Sequence, residues 1–233
     1  MKRSFCLLIG LALLFSLFSC RGDDQTGGGQ NENHLPYGKD GVDEFISITE
    51  DMKGEGLISG FSITEDNIYN VTPDQVARET NYRIFKASDS CASFILIDGQ
   101  IYLLCEYFGG FGFVNAVPCD FDEDGCTNLL VASSFGSGAH RSVISHFNVK
   151  TKEPTVIFDT SLTDQSDRDL IVMAATPSFS SAEINNLPIY YNIYSVEISV
   201  EEGNLAKLSY LPSDVIGSVE YENGQVVFKS NEK

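Results

Sequence analysis

From residue 42 onward the apolar positions of the chain mostly recur with period two, or gather in short β-rich runs closed by Gly, Asn, Asp or Pro. That spacing predicts strands, because successive side chains of a strand point to opposite faces. The sharpest instance is Ser93-Phe94-Ile95-Leu96-Ile97, then Asp98-Gly99, then Gln100-Ile101-Tyr102-Leu103-Leu104. Asp-Gly between two apolar runs predicts a two-residue hairpin turn, whose central residues both need positive φ. Asn223-Gly224, between Val219-Glu220-Tyr221 and Val226-Val227-Phe228, predicts another. Further strands are expected over 57–69, 82–88, 112–118, 128–135, 141–149, 154–159, 188–200 and 204–211. Thr72-Pro73-Asp74-Gln75 has the order of a capping box and predicts a short helix over 73–79 with Thr72 as its N-cap. Residues 164–176 fit a helix or a strand, since Leu170-Ile171-Val172-Met173 suits both. The expected fold is mainly β, a twisted antiparallel sheet or sandwich with one or two short helices.

Ser47-Ile48-Thr49-Glu50-Asp51 recurs as Ser62-Ile63-Thr64-Glu65-Asp66, but the flanks do not continue the match, so the two are read as similar strand ends. No period of about 40–50 residues appears, which argues against a simple propeller array.

The N-terminus follows a different pattern. Met1-Lys2-Arg3 is basic, and residues 5–18 are an almost unbroken apolar run ending at Ser19-Cys20. The run is shorter than the ~20 residues that cross a bilayer and suits the core of a secretory signal. Leu17-Phe18-Ser19-Cys20 resembles the lipobox of bacterial lipoproteins. The resemblance implies removal of residues 1–19, lipid on Cys20, and a membrane partner reached through that lipid. Acyl chains contribute about 0.8 kcal/mol per buried CH₂, so several on one cysteine anchor a protein firmly. Residues 21–33 hold no apolar side chain, so 20–41 is expected to be a flexible tether before a single β-rich domain over 42–233. Asp23 and Asp24, just past Cys20, resemble the surface-export signal of Bacteroidetes lipoproteins. That resemblance implies the bacterial cell envelope, at the outer membrane and facing outward.

Charge narrows the partners. The chain has 15 Lys+Arg against 33 Asp+Glu, a formal net charge of −18. Phosphate backbones need a basic face, so nucleic acid is excluded as a partner, as is electrostatic docking on anionic lipid. Such acidity suits a medium that contains divalent cations.

One segment carries a metal-binding pattern, Cys119-Asp120-Phe121-Asp122-Glu123-Asp124-Gly125-Cys126-Thr127-Asn128-Leu129-Leu130. Asp120, Asp122 and Asp124 stand at positions 1, 3 and 5 of a Ca²⁺ loop, with Gly125 at the sharp turn of position 6. Cys126 would offer its carbonyl at position 7, and Asn128 an amide oxygen at position 9. Position 12 is Val131, not the bidentate Glu of an EF-hand, and a strand follows in place of a helix. The segment resembles the loop of FG-GAP and VCBS repeats, Asp-x-Asp-x-Asp-Gly-x-x-(Asp/Asn)-Leu. Over 135–142 it also resembles uncharacterised secreted bacterial proteins that carry a single such loop. The implied cofactor is a structural Ca²⁺.

Four further cysteines, Cys91, Cys105, Cys119 and Cys126, would form disulfides in an exported chain. Of the three pairings, 119–126 with 91–105 is favoured because 119–126 closes the acidic loop. The pair 91–105 then needs a bulge, since a two-residue turn at 98–99 puts Cys105 opposite Ala92. Gly136-Ser137-Gly138-Ala139-His140-Arg141 is a candidate ligand loop with His140 and Arg141 as its polar groups, or simply a turn between strands. Tyr107-Phe108-Gly109-Gly110-Phe111-Gly112-Phe113 suits either a platform for sugar rings or a tight hairpin. No nucleophile or metalloprotease motif appears, and no catalytic residue is assigned. The reading is a non-catalytic accessory that binds a glycan or a protein. The alternative is a hydrolase of extracellular polymers using His140, Arg141 and a nearby aspartate.

Overall fold

The computed structural model describes residues 33–34, 37–52, 60–105, 109–162, 168–175 and 190–231. The expected signal, Cys20, most of the tether, Tyr107 and Phe108 lie outside the described residues. The protein is mainly β, built from three antiparallel sheets. In the first, β2 (Ile68–Asn70), β3 (Arg83–Ala87), β4 (Ser93–Ile97) and β5 (Gln100–Cys105) lie side by side in chain order. The second repeats that order with β6 (Gly112–Cys119), β7 (Asn128–Phe135), β8 (Arg141–Asn148) and β9 (Glu153–Asp159). The third runs β1 (Asn33–His34), β12 (Leu208–Glu222), β11 (Tyr190–Val200), β10 (Asp169–Ala175), with β13 (Gln225–Ser230) also on β12. Both expected hairpin turns form, with positive φ at Asp98, Gly99, Asn223 and Gly224.

Strands β6 and β7 of the second sheet are buried on both faces. Phe113, Ala116, Leu129, Val131 and Phe147 pack against Val71, Ile84, Ile95 and Ile97 of the first sheet and its flank. Val114, Val117, Leu130, Ala132 and Ile144 pack against Leu170, Val172, Ile193 and Val219 of the third. This explains why 112–119 and 128–134 read as nearly continuous apolar runs: neither face meets water. Wholly burying a side chain such as Phe113 or Leu129 stabilises by about 1.5–3 kcal/mol. The outer face of the first sheet is covered by α1 (Val42–Asp51), with Phe45 stacked on Phe85 at 4.4 Å between ring centroids.

The strand β10 shows how an edge is made safe. Its free backbone groups are met by side chains of the second sheet. Asn115 donates to Val172 O at 2.7 Å and accepts from Val172 N–H at 3.2 Å, and Ser142 Oγ accepts from Leu170 N–H at 3.0 Å. Asn115 and Ser142 are both buried in a largely apolar interface, and each is hydrogen-bonded as burial demands.

Several expectations are corrected. Residues 42–51 form a helix, not a strand, because Val42, Phe45, Ile46 and Thr49 fall at helical spacing and Asp43 and Glu44 favour the N-terminal end of the dipole. Ser47–Asp51 is therefore helical while Ser62–Asp66 is loop and turn, so the pentapeptides are not like strand ends. The short helix α2 spans Asp74–Glu79, with Pro73 as its N-cap. Thr72 does not cap it, since its hydroxyl accepts from Ile84 N–H at 2.8 Å and donates to Asn70 Oδ1 at 2.6 Å. Of the described part of 57–69, only Ile68 and Tyr69 lie in a strand, and the separate strands expected at 204–211 and 219–221 merge into β12. Residues 169–175 resolve as strand. Asn33–His34 and Gly38, inside the expected tether, pair with β12 and Asn70.

Candidate functional site

The acidic loop joins β6 to β7, two strands that are buried on both faces, so its ends are fixed by the core. Two tyrosines from neighbouring elements hold its flanks: Tyr191 Oη donates to Pro118 O at 3.1 Å, and Tyr82 Oη donates to Thr127 O at 2.8 Å. Between these anchors the chain turns through positive φ at Glu123 (53°) and Gly125 (79°). Asp120 organises the turn, accepting Asp124 N–H at 3.2 Å on one carboxylate oxygen and Gly125 N–H at 3.1 Å on the other. Asp124 Oδ1 accepts Cys126 N–H at 2.8 Å.

The result is three exposed carboxylates, Asp120, Asp122 and Asp124, each offering an oxygen within 4.8 Å of the others. At that separation two unit charges in water repel by about 1 kcal/mol, so the cluster is tolerable but unfavourable without a cation. One cation already lies against it, since Lys150 Nζ pairs with Asp124 Oδ2. The Lys150 ammonium, followed by the Cys126 N–H, holds the Asp124 carboxyl below its ordinary range, and Asp124 in turn raises Lys150. Asn128 is placed differently from the three aspartates. It is buried at the start of β7, and its Oδ1 accepts Val149 N–H at 2.9 Å.

The expected disulfides are not formed: Cys91, Cys105, Cys119 and Cys126 are free thiols. Cys119 packs in the core between the second and third sheets, whereas Cys126 packs against the core on the opposite face. The expected bulge is present, pairing Ser93 with Cys105 and Phe94 with Leu103, yet Cys91 Sγ is turned to Gly109 O at 2.9 Å. Burial pushes the Cys105 thiol up to about 12 and raises Cys91 and Cys119 as well, which keeps all three protonated and unreactive at neutral pH. Between Cys91 and Cys105 lies Lys86, wholly buried, donating to Phe113 O at 2.8 Å and pushed down to about 7 by desolvation.

His140 and Arg141 are brought close to no ligand-like group. His140 Nδ1 lies 3.3 Å from Asp169 Oδ2, whose other oxygen accepts Ser134 Oγ at 2.5 Å, while Arg141 is exposed. Asp169 stands between the serine and the histidine, so the imidazole is not placed to take a proton from Ser134. The glycines that precede β6 pack backbone on backbone, Gly109 bridging to Gly136, and Phe111 sets its edge on His140 at 4.5 Å.

Two hollows flank the acidic loop. One, of about 600 Å³, lies beside Tyr82, Asp98, Cys126 and Lys152. Several of its polar groups are spent within the protein, Asn81 Nδ2 on Asp98 Oδ1 at 3.1 Å and Tyr82 on Thr127. The other, of about 420 Å³, lies between β9 and the β12–β13 turn and is walled by Phe121, His146 and Tyr221. Sequence reasoning missed this second hollow. Its one local signal was an aromatic residue, Phe121, placed between two loop aspartates. Searches with the chain matched no protein-family model, no curated protein and no solved structure.

Proposed function

We propose that this protein is a lipid-anchored protein of the bacterial cell envelope whose β domain binds Ca²⁺ at Asp120, Asp122 and Asp124, and whose role is non-catalytic binding of a glycan or protein. The observation that carries the ion is the set of three carboxylates held within 4.8 Å by a loop whose own N–H groups fix Asp120 and Asp124. A hard dication with oxygen ligands removes the mutual repulsion of such a set, and the Cys126 carbonyl adds a neutral ligand. The order strand, acidic loop, strand within a four-stranded meander supports the resemblance to FG-GAP and VCBS repeats. The anchor rests on the lipobox-like Leu17-Phe18-Ser19-Cys20, and outward display on the acidic residues that follow it.

An exposed loop without a bidentate glutamate binds weakly, at a Kd of about 10⁻⁴–10⁻³ M. At roughly 10 mM Ca²⁺ such a site stabilises the fold by about 1.4–2.7 kcal/mol, or raises the melting temperature by roughly 3–10 °C. The test is a thermal melt of chelated protein against increasing Ca²⁺, with Asp122→Asn beside it. A rise in the native chain that the variant lacks supports the reading. An unchanged melt in the native chain removes the ion from it.

A further inference from the structure

The hollow between β9 and the β12–β13 turn is the place where the ligand of this accessory would sit, and its chemistry is unlike that of a core defect. Phe121 and Tyr221 form one wall, their rings 6.2 Å apart and only 18° from parallel, with Tyr221 41% exposed. Phe121 is also braced edge-wise by His146 at 6.1 Å and by Tyr191 at 5.1 Å, so this wall is rigid. At about 420 Å³ the hollow falls within the roughly 300–1,000 Å³ of small-molecule sites.

The polar lining is made of planar amides whose orientation the backbone fixes. Asn128 Oδ1 accepts Val149 N–H, and Asn148 Oδ1 accepts Lys150 N–H at 2.9 Å and Thr151 N–H at 3.2 Å. Backbone donors on those oxygens settle the amide flip, so the ends left over are the two Nδ2 donors. Among the described residues neither Nδ2, nor the Gln225 side chain, has a hydrogen-bond partner. His146 Nε2 is buried in the protein with no partner among the described residues, a state that native interiors rarely leave unexplained. Burial lowers the His146 pKa, so the ring is neutral there at pH 7. Asp122, from the acidic loop, completes the rim, and among the described residues no Lys or Arg lines the hollow.

We infer that this cleft binds a neutral sugar, with the face of one ring against Tyr221 and its hydroxyls on Asn128, Asn148, Gln225 and Asp122. A sugar ring pairs an apolar C–H face with hydroxyls that donate and accept side by side, which an exposed aromatic and free amide donors match. An anionic ligand is disfavoured by Asp122 and by the absence of a basic lining residue. A purely apolar ligand would strand the amides without partners, at a cost. The inference rests on the glycan-binding part of the proposed function and does not require the ion, although Phe121 and Asp122 belong to the same loop.

The test uses the full-length chain with maltotriose, cellotriose, xylotriose, mannotriose and diacetylchitobiose, by saturation-transfer NMR and calorimetry, in Ca²⁺ and in chelator. At least one of these sugars should bind. Tyr221→Ala should weaken that binding by about tenfold, and Gln225→Ala by about threefold to tenfold. Tyr221→Phe, which keeps the ring, should stay within about threefold of the native chain, and Tyr37→Ala, equally exposed but outside the cleft, should match it. Silence from all five sugars at about 20 mM overturns the inference. So does binding that Tyr221→Ala leaves untouched, an outcome that places a glycan site elsewhere on the protein. Sugar binding retained in chelator, in a chain whose melt ignores Ca²⁺, would remove the ion and keep the cleft.

Discussion

The acidic loop at 120–127 and the glycine loop at 136–140 begin from opposite ends of the same sheet, yet they treat their polar groups in opposite ways. At the glycine loop, Asp169 of β10 is consumed by Ser134 and His140, and Gly136 at φ 115° lies so close to Ala139 O that a Cβ would come within 2.4 Å of it. In the acidic loop, Gly125 turns through φ 79° with nothing within 4 Å of where a Cβ would stand, and three carboxylates face one another in solvent. The first is a turn locked by its own contacts. The second also uses the oxygens of Asp120 and Asp124 on its own N–H groups and on Lys150, but all three carboxylates stay exposed and keep lone pairs for a further partner. A cluster of polar residues points to a ligand only when its groups keep exposure and acceptor capacity after the fold has used them.

The largest effect expected separates the two loops through one aspartate at each, Asp169 of β10 against the glycine loop and Asp122 within the acidic loop. Asp169→Ala leaves the fully buried Ser134 hydroxyl without its acceptor and frees His140, and should destabilise the protein by about 2–3 kcal/mol. Asp122→Asn, on an exposed side chain, should stay within about 0.5 kcal/mol in chelator. Adding Ca²⁺ should narrow the gap, with Asp169→Ala keeping the Ca²⁺-dependent gain of about 1.4–2.7 kcal/mol and Asp122→Asn losing it. Denaturant melts of both variants with and without Ca²⁺ measure this. A neutral Asp169→Ala would mean that the glycine loop is no more locked than the acidic one.

A second contrast is between two lysines. Lys150 meets a carboxylate in solvent, whereas Lys86 is sealed in the core with one carbonyl for its amine. The folded chain holds the Lys86 proton only to about pH 7, while the unfolded chain keeps it to the ordinary 10.5. A pKa lowered by folding means that the cost of burying the ammonium is fully present below pH 7 and declines as pH rises toward 10.5. From pH 7 to pH 9 the native chain should therefore gain about 2 kcal/mol relative to Lys86→Met, which lacks the titrating group. Above that range Cys105, raised to about 12, works the other way, since its stability is lost as pH climbs past the ordinary thiol range. Equal pH slopes in the two chains between pH 7 and 9 would show that Lys86 is hydrated.

How far the sequence spoke depended on whether the signal was local. The turns Asp98-Gly99 and Asn223-Gly224 and the spacing of Asp120, Asp122 and Asp124 were legible because each is decided within a few residues. The helix over Val42–Asp51 was not, because Ile46, Ile48 and Ser47 also satisfy a period of two, and only the covering of Phe85 and Phe94 by Phe45 decides between them. The disulfides failed for a similar reason. Cys119 and Cys126 are neighbours in sequence but pack on opposite faces of a buried sheet. The cleft was least legible of all. Phe121 and Asn128 share the acidic segment, but His146 and Gln225 come from two others, and nothing near any of the three segments points to the rest.

The smallest effect expected tests what Lys150 does to the acidic loop. Its ammonium neutralises one of the three carboxylates, so it competes with a dication for Asp124. Exposed ion pairs contribute about 0–1 kcal/mol, so Lys150→Met should tighten Ca²⁺ by at most about fivefold while barely moving the melt in chelator. Calorimetric titration of both chains measures the ratio. A weaker Ca²⁺ affinity in Lys150→Met would mean that Lys150 positions Asp124 for the ion instead of occupying its place. An affinity that does not change would put the Lys150–Asp124 pair at the zero end of that range, an exposed contact that the ion displaces at no cost.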